Sequence, residues 1–212
     1  MGLSVLISGT WYESLRRELH SRGFRRLAVW SRGVDTELFR PREGSVLDLP
    51  RPIFLYVGRL AVEKNVEGFL GLQLPGSKVV VGDGPDRGRL QARYPTASFL
   101  GTRTGRELAE IYASADVFVF PSRTDTFGIV LLEALASGVP VAAFPVQGPQ
   151  NVVGESGAGV LDPDLRRAAL SALRISRARC RERGSEFSWD SSTRQFLTQL
   201  VPTGGMPADA RT

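Results

Sequence analysis

Short apolar runs alternate with amphipathic stretches through most of this chain. Apolar runs bounded by turn residues predict buried strands, and the stretches between them predict helices. From residue 53 onward the predicted strands cover 53–57, 78–81, 97–100, 117–120, 139–144 and 158–161. The predicted helices cover 65–72, 86–93, 105–114, 127–137, 164–183 and 190–200. This alternation indicates an α/β fold with a Rossmann-like, doubly wound parallel sheet.

The first 52 residues show a different pattern. Residues 3–8 predict a strand, 11–22 a helix that ends at Gly23, and 27–30 a second strand. The following residues, 31–52, are rich in glycine, proline and arginine, which indicates a linker or a domain edge.

The charge of the chain comes mostly from arginine. The formal net charge is +5, and among the 27 basic residues only Lys64 and Lys78 are lysines. Arginines crowd between residues 16 and 26 and again between 166 and 183. A solvated helix face is the first interpretation of these clusters, and attraction to phosphate groups, such as those of an anionic membrane surface, is the second. We expect no nucleic-acid partner, because no aromatic residues are interleaved with the arginines.

Composition also limits the other classes of protein. No run approaches the ~20 apolar residues of a membrane span, and the start of the chain lacks the pattern of a signal peptide. We therefore expect a cytoplasmic protein, with contact to the inner face of the membrane as an extension of that prediction. Cys180 is the only cysteine and His20 the only histidine, so neither a disulfide within the chain nor a cysteine- or histidine-rich metal site is expected.

Two carboxylates flank a predicted helix start in the segment Ser122–Val141. Asp125 precedes the apolar run and Glu133 follows eight residues later, about two helical turns further on. A strand is predicted just before this segment, so its loop lies at the carboxyl edge of a parallel sheet, where open α/β sheets bind ligands. Asp125 is expected to share that pocket with the N–H groups of Phe127, Gly128 and Ile129.

This segment resembles the acidic signature of retaining GT-B glycosyltransferases, written E-x7-E, with Asp125 in the first acidic position and Glu133 in the second. A second block, YVGRLAVEKN over residues 56–65, resembles the GRL-x-x-EK element of the same family. The matching blocks cover roughly Trp30 to Pro163. The chain is thus similar to the second, donor-binding half of a GT-B fold, of the group 1 type that includes mannosyl and glycolipid transferases.

The resemblance implies a domain organisation. Residues 1–30 are expected to be a remnant of the N-terminal GT-B domain, 31–52 the interdomain linker, and 53–186 the nucleotide-sugar-binding domain. Residues 187–201 correspond to the C-terminal crossover helix, and 202–212 to a disordered tail. The crossover helix is amphipathic and packs on the first domain in the family, so without that half we expect an apolar patch that favours self-association.

The leaving group of a sugar nucleotide is a diphosphate, so its site must stabilise negative charge. Arg59 and Lys64, on the loop after a predicted strand, suit this role, with ordinary surface cations as the alternative. The N–H groups at the helix start add donors. Because these donors supply the positive charge, we expect no metal and no cofactor besides the donor substrate.

The resemblance assigns separate roles to the two carboxylates. Glu133 is expected to accept hydrogen bonds from the paired hydroxyls of a ribose, and a helix glutamate paired with an arginine is the alternative. Asp125 is expected to contact hydroxyls of the donor sugar, and an N-cap or turn aspartate is the alternative.

Several small residues also match the family. Gly82 and Gly84, in VGDGP, resemble a turn beside the nucleotide, although a plain strand–helix turn explains them nearly as well. Gly101 and Thr102 are expected near the base. The run Gly33–Asp35 matches the family's linker, where a structural role is at least as well supported as a functional one.

The resemblance therefore implies a retaining hexosyltransferase half. It would bind a UDP-, GDP- or ADP-sugar and transfer the hexose to a hydroxyl acceptor, with a glycolipid as one candidate, by same-face attack assisted by the leaving phosphate. The alternative is a non-catalytic nucleotide-sugar-binding subunit, or a truncated remnant, that needs a separate acceptor-binding chain. The sequence leaves the sugar, the base and the acceptor open.

Two other segments resemble nucleotide-binding motifs but do not match them. GLQLPGSK, over residues 71–78, ends in Ser-Lys where a P-loop has Lys-Ser. The glycines from residue 82 onward miss the GxGxxG spacing. Neither an ATPase nor a dehydrogenase is supported.

Overall fold

The computed structural model describes residues 8–10, 13–25, 27–29, 31–124 and 128–198. The chain divides into two compact units, one of Val34–Ser188 and one that combines residues up to Gly33 with those from Trp189 onward.

The smaller unit begins with a parallel pair of short strands. These are β1 (Ser8–Thr10) and β2 (Leu27–Val29), joined through helix α1 (Glu13–Ser21). The predicted strand over residues 3–8 lies outside the described residues except for Ser8, and the predicted helix and second strand are confirmed within a few residues.

The larger unit is built on six parallel strands. They are β3 (Ile53–Val57), β4 (Ser77–Val81), β5 (Ser98–Gly101), β6 (Val117–Phe120), β7 (Val141–Ala143) and β8 (Gly159–Leu161). Their order across the sheet is β5-β4-β3-β6-β7-β8. The chain thus builds outward from β3 on one side and then returns to build outward from β6 on the other. The predicted doubly wound parallel sheet is confirmed.

Helices cover both faces of this sheet, which is why β3, β6 and β7 are buried along their whole length. A short 3₁₀ helix spans Val62–Lys64. The α-helices are α2 (Val66–Leu70), α3 (Arg87–Arg93), α4 (Gly105–Ser114), α5 (Ile129–Ala136), α6 (Gln147–Val152), α7 (Leu165–Ala172) and α8 (Arg177–Ser185).

The prediction of one helix over residues 164–183 is wrong, because α7 and α8 are separate helices, each with its own cap. The Asp164 carboxylate accepts from the N–H groups of Arg166 and Arg167 at 2.9 and 3.1 Å. The Ser176 hydroxyl accepts from the N–H of Arg179 at 3.4 Å and starts the second helix.

Helix α6 was missed because its sequence, QGPQNV, has the glycine and proline that favour turns. Pro149 lies in the first turn, where a missing N–H leaves no intrahelical bond unmade. Gly148, Pro149 and Val152 are buried, so tertiary packing holds this short helix in place.

The arginines of the 166–183 cluster have a use that neither interpretation anticipated. Several of them donate to backbone carbonyls of distant segments, and charged donors form strong hydrogen bonds. The Arg177 guanidinium donates to the carbonyls of Ala113 and Ala115 at 3.0 and 2.5 Å. The Arg179 guanidinium donates to the carbonyl of Ser156 at 3.0 Å. Much of this cluster therefore links elements of the fold, and membrane contact stays a prediction.

Helix α9 (Trp189–Leu197) belongs to the smaller unit. A Cβ on Gly33 would lie 2.6 Å from the Trp189 ring, so only glycine fits there. The Ser31 N–H donates to the Gln195 side chain at 2.8 Å. Trp189 and Leu197 are 58% and 55% exposed. Self-association through this helix and the domain boundaries at 30, 52, 186 and 201 stay predictions. In the described part of the chain no helix is long and apolar enough to cross a bilayer.

Candidate functional site

The carboxyl ends of the six strands meet at one edge of the sheet, and the strand order changes direction there between β3 and β6. Open parallel sheets bind ligands at such a switch point, because the loops on its two sides diverge and leave a crevice. The loop after β3 carries Arg59, and the loop after β6 leads to Gly128 at the start of α5. The two predicted motifs therefore flank the same crevice.

The loop after β3 presents Arg59 to solvent. The Arg59 side chain is 66% exposed, and its Nη1 lies 3.6 Å from Oε1 of Glu63. Lys64, which is partly buried, ends the 3₁₀ helix. Exposed ion pairs contribute little free energy, so an anionic ligand can replace Glu63 as the partner of Arg59 at small cost.

Asn65 joins the two loops, a role that the sequence analysis missed. Its backbone is left-handed, at φ 51° and ψ 36°, and its side-chain Nδ2 donates to the carbonyl of Pro121 at 3.0 Å. Asparagine tolerates this conformation better than most residues. An asparagine directly after the GRL-x-x-EK block was the available signal.

The predicted Gly82–Gly84 turn is held close to the loop after β3. A Cβ on Gly82 would lie 2.0 Å from the Gly58 carbonyl oxygen, and one on Gly84 would lie 2.3 Å from that of Leu60. The Leu60 N–H donates to the Asp83 carbonyl at 2.8 Å. Close backbone approach thus explains both glycines, and their contact with a nucleotide stays a prediction.

The loop after β5 lies beside the turn that follows β4. Gly101 accepts at 2.8 Å from the Gly82 N–H and has a φ of 71°, while Thr102 is exposed. The Arg87 guanidinium lies over Gly101 and pairs with Asp83 at 2.8 Å. The Gly84 N–H and Arg87 lower the pKa of the Asp83 carboxyl. Gly101 and Thr102 are therefore at the correct edge for a base, and that role stays a prediction.

The start of α5 lies on the other side of the switch point. Gly128, at φ 68°, is the N-cap residue and has no side chain to cap the helix, while Ile129 is 39% exposed. N–H groups in a first turn have no intrahelical acceptor and can bind an anion. Asp125 and Phe127 lie outside the described residues, so their predicted roles stay predictions.

Glu133 lies in the second turn of α5 with its carboxylate partly buried. Its Oε2 accepts from the Tyr112 hydroxyl at 2.9 Å. Burial raises the pKa of the Glu133 carboxyl, and the hydrogen bond from Tyr112 lowers it in part. The alternative of an arginine partner is not found within the described residues, where Tyr112 is the hydrogen-bond donor to this carboxylate.

Arg123 adds a cation to this edge that the sequence analysis did not single out. Its guanidinium carbon lies 3.8 Å from the centroid of the Phe144 ring. Arg123 follows β6 and Phe144 follows β7, so this cation–π contact joins neighbouring loops.

Other features lie elsewhere. One surface cavity is lined by Arg51, Asp116 and Arg177 near the amino ends of the strands, and another by residues 40–46 and part of α4. Neither includes a predicted site residue. Across the described ranges, no three His, Cys, Asp or Glu side chains cluster as metal ligands would, and metal independence stays a prediction.

The chain is similar to known proteins over most of its larger unit. Residues 51–175 match the family model described as glycosyl transferases group 1. The chain is similar to a GDP-mannose-dependent alpha-mannosyltransferase of Mycobacterium tuberculosis, with 45% identity over 153 residues, covering 68% of this chain and 40% of that protein. An enzyme of the same name from Mycolicibacterium smegmatis is 39% identical over 198 residues, covering 81% of this chain and 52% of that protein.

Among solved structures, sucrose-phosphate synthase from Thermosynechococcus elongatus superposes with a TM-score of 0.75 and 28% identity, covering 87% of this chain and 55% of that one. The fold is thus the Rossmann-like second half of a GT-B fold, as predicted. The chain spans about half the length of these relatives, since it covers 40% and 52% of the two mannosyltransferases.

Proposed function

This chain belongs to the glycosyl transferases group 1 family, and we propose that its larger unit binds a nucleotide diphosphate sugar and takes part in transfer of the hexose, with retention, to a hydroxyl acceptor. The observation that carries the proposal is the position of the two motif loops. They flank one switch point, are tied together by Asn65 and Pro121, and bear cations on one side and a carboxylate on the other.

In this proposal the charges divide between the parts of the donor. Arg59 and Lys64 neutralise the diphosphate, as forked and compact cations do. The N–H groups at the start of α5, of the N-cap Gly128 and of Ile129, add donors for the same oxygens. Glu133 accepts hydrogen bonds from the ribose hydroxyls, and Asp125 from the sugar. No metal is needed for the charge balance.

The transfer step uses the leaving group as the base. The bond between the anomeric carbon and the β-phosphate oxygen breaks, and the acceptor oxygen attacks from the face that the phosphate leaves. The acceptor proton passes to the departing phosphate oxygen. The cations lower the barrier because they stabilise the charge that develops on the diphosphate.

GDP-mannose is the donor that we propose to test first. The two mannosyltransferases that are 45% and 39% identical to this chain are described as GDP-mannose-dependent. Transfer of mannose from GDP-mannose, in which the sugar is α-linked, to an α product keeps the configuration at the anomeric carbon, in accord with retention. We further propose that the acceptor is lipid-linked and that the reaction takes place at the cytoplasmic face of a membrane.

A second candidate is donor binding without transfer by this chain itself. The observation in its favour is that the residues gathered at the switch point, Arg59, Lys64, Gly128 and Glu133, are all ones that we propose to contact the donor. None of them is proposed to contact an acceptor.

Calorimetric titration with GDP, UDP and ADP tests the donor site. We expect one nucleotide to bind, and its affinity to fall roughly tenfold or more in Arg59→Ala and in Lys64→Ala, as is usual for hydrogen bonds to charged groups. Arg174→Ala is the matched control, since this exposed arginine follows α7 next to Leu173, which lines the cavity at the amino ends of the strands.

Lack of binding by all three nucleotides, or equal binding by all variants, would contradict the proposal. Incubation of the binding-competent chain with radiolabelled GDP-mannose and simple mannosides or lipid acceptors separates the two candidates. Labelled product supports a transferase, whereas binding without product supports the donor-binding candidate.

A further inference from the structure

Glu133 is a carboxylate within an otherwise apolar helix. Its helix neighbours Leu131, Leu132, Ala134 and Leu135 are fully buried. A charged group in such surroundings requires a strong compensating contact. The Tyr112 hydroxyl supplies one, at 2.9 Å from Glu133 Oε2.

The Tyr112 ring is fixed by its own contacts. The residue is fully buried, with the Phe39 ring edge-on at 5.7 Å and the Phe118 ring tilted at 5.6 Å. A buried phenol requires an acceptor. Besides Glu133, only a long contact of 3.4 Å to the Val130 carbonyl is available among the described residues. The direction of the hydroxyl is therefore set by packing, and Glu133 is its principal acceptor.

We propose that Tyr112 is a positioning residue for nucleotide recognition: it holds one oxygen of the Glu133 carboxylate and thereby presents the other, Oε1, to a ribose hydroxyl. This inference rests on the proposed function, since it concerns the same site. Within the described residues, the hydrogen bond to this carboxylate is made to Oε2. A glutamate has three rotatable side-chain bonds, and holding it in the bound geometry before the ligand arrives removes an entropic cost from binding.

The positioning reaches beyond the two helices. Phe39 lies in the segment that follows Val34, and its backbone carbonyl accepts from Arg181 at 2.9 Å. The segment after Val34 thus holds the Phe39 ring against the Tyr112 ring. This contact gives a structural reason for the position of Phe39 in the fold.

The test compares ribose with deoxyribose. Wild type and Tyr112→Phe are titrated with GDP and 2′-deoxy-GDP, and with UDP and 2′-deoxy-UDP, and the ratio of the two affinities is taken for the better-bound base. We expect wild type to prefer the ribonucleotide by roughly tenfold, the size of a hydrogen bond to a charged acceptor. Tyr112→Phe should reduce this preference to about twofold and leave affinity for the deoxynucleotide nearly unchanged.

Glu133→Gln completes a double-mutant cycle. If Tyr112 acts through Glu133, adding Tyr112→Phe to Glu133→Gln causes no further loss of the preference. Should Tyr112→Phe fail to fold, Phe39→Leu takes its place, because it loosens the ring while keeping the hydroxyl. That variant should also lower the preference.

Each outcome has a distinct meaning. No binding of any nucleotide by wild type contradicts the proposed function itself. Binding without a ribose preference leaves the proposed function intact and overturns this inference. A preference unchanged in Tyr112→Phe, or an equal loss of affinity for both nucleotides, also overturns it, the second result indicating a purely structural role.

Discussion

The side-chain amide of Asn65 donates to the carbonyl of Pro121 at 3.0 Å, across the point where the strand order of the sheet reverses. Asn65 ends the segment that carries Arg59 and Lys64, and Pro121 begins the segment that carries Asp125 and leads to Glu133. This hydrogen bond therefore joins the segment that follows β3 to the segment that follows β6, in addition to the pairing of the two strands themselves.

Two substitutions of Asn65 should separate the free-energy cost of its left-handed backbone from the contribution of its hydrogen bond to Pro121. Both Asn65→Gly and Asn65→Ala lose the bond, but only alanine bears the roughly 1–2 kcal/mol cost of a left-handed backbone. We expect urea unfolding to show a larger loss of stability for Asn65→Ala than for Asn65→Gly, and nucleotide titration to show weaker binding in both. Equal stability of the two variants would contradict this account.

Gly184 on α8 should not tolerate a side chain. A Cβ there would lie 2.3 Å from the backbone nitrogen of Ala136 on α5, so Gly184→Ala must push the two helices apart. We expect a loss of about 1–3 kcal/mol in the free energy of unfolding, as for other overpacked sites. Gly88→Ala on α3 is the matched control, because nothing lies within 4 Å of its Cβ position.

In that control alanine should leave stability unchanged or raise it by about 0.5–1 kcal/mol, since glycine is the poorer helix former. A destabilisation of the same size in both variants would show that the contact between α5 and α8 is not the cause.

Glu133 should make stability fall as the pH rises. Burial raises the pKa of its carboxyl above the usual 4.5 in the folded chain, so between these two values the folded state binds more protons than the unfolded state. Stability from this group is present below pH 4.5 and is lost as the pH rises through the folded pKa. Glu133→Gln removes the effect.

We therefore expect the free energy of unfolding in urea, taken for Glu133→Gln minus wild type, to be more positive at about pH 8 than at about pH 4. The same variant should bind nucleotide more weakly, which is the usual conflict between a functional charge and stability. A difference between the two proteins that does not change with pH would rule out the burial effect.

Arg181 should contribute to stability through several carbonyls at once. It donates to Phe39 and Ala136 at 2.9 Å each and to Thr36 at 3.0 Å. Arg181→Ala leaves these oxygens without that donor, and we expect a loss of about 2–3 kcal/mol in urea unfolding. Arg181→Lys keeps the charge but lacks the fork, so it should restore only part of the loss.

Arg106→Ala is the comparison for Arg181. Arg106 is 79% exposed and pairs with Glu110 one turn away, so its removal should change stability by about 0.5 kcal/mol or less. A similar loss in Arg106→Ala and Arg181→Ala would mean that the bridging bonds of Arg181 have no special value.

The sequence was most informative where local pattern and tertiary structure agree. The strand 53–57, the helix 105–114 and the strand 117–120 were predicted with the bounds that the structure gives them. The end of α5 was predicted at residue 137, within one residue of its end at Ala136. Gly138 follows at a φ of 74°, and its N–H donates to the Leu135 carbonyl at 2.9 Å. Buried parallel strands are continuous apolar runs, and a left-handed helix end favours glycine, so both leave a clear local signal.

The predictions failed where local signals were ambiguous. Residues 164–183 have enough helical periodicity for one helix, and only the caps at Asp164 and Ser176 divide it. Helix α6 contains residues typical of turns and forms because Pro149 and Val152 are buried against the rest of the unit.

By itself, the sequence determined the α/β class, the six strands of the larger unit, most of its helices and the family, because apolar periodicity and the two motif blocks are local properties of the chain. It also indicated Arg59, Lys64 and Glu133 as candidate site residues. Only the tertiary structure decided that Asn65 ties the two motifs together and that Tyr112 is the partner of Glu133. These contacts join residues 56 and 21 positions apart, and such pairs are set by the packing of the sheet and its helices, which no local pattern encodes.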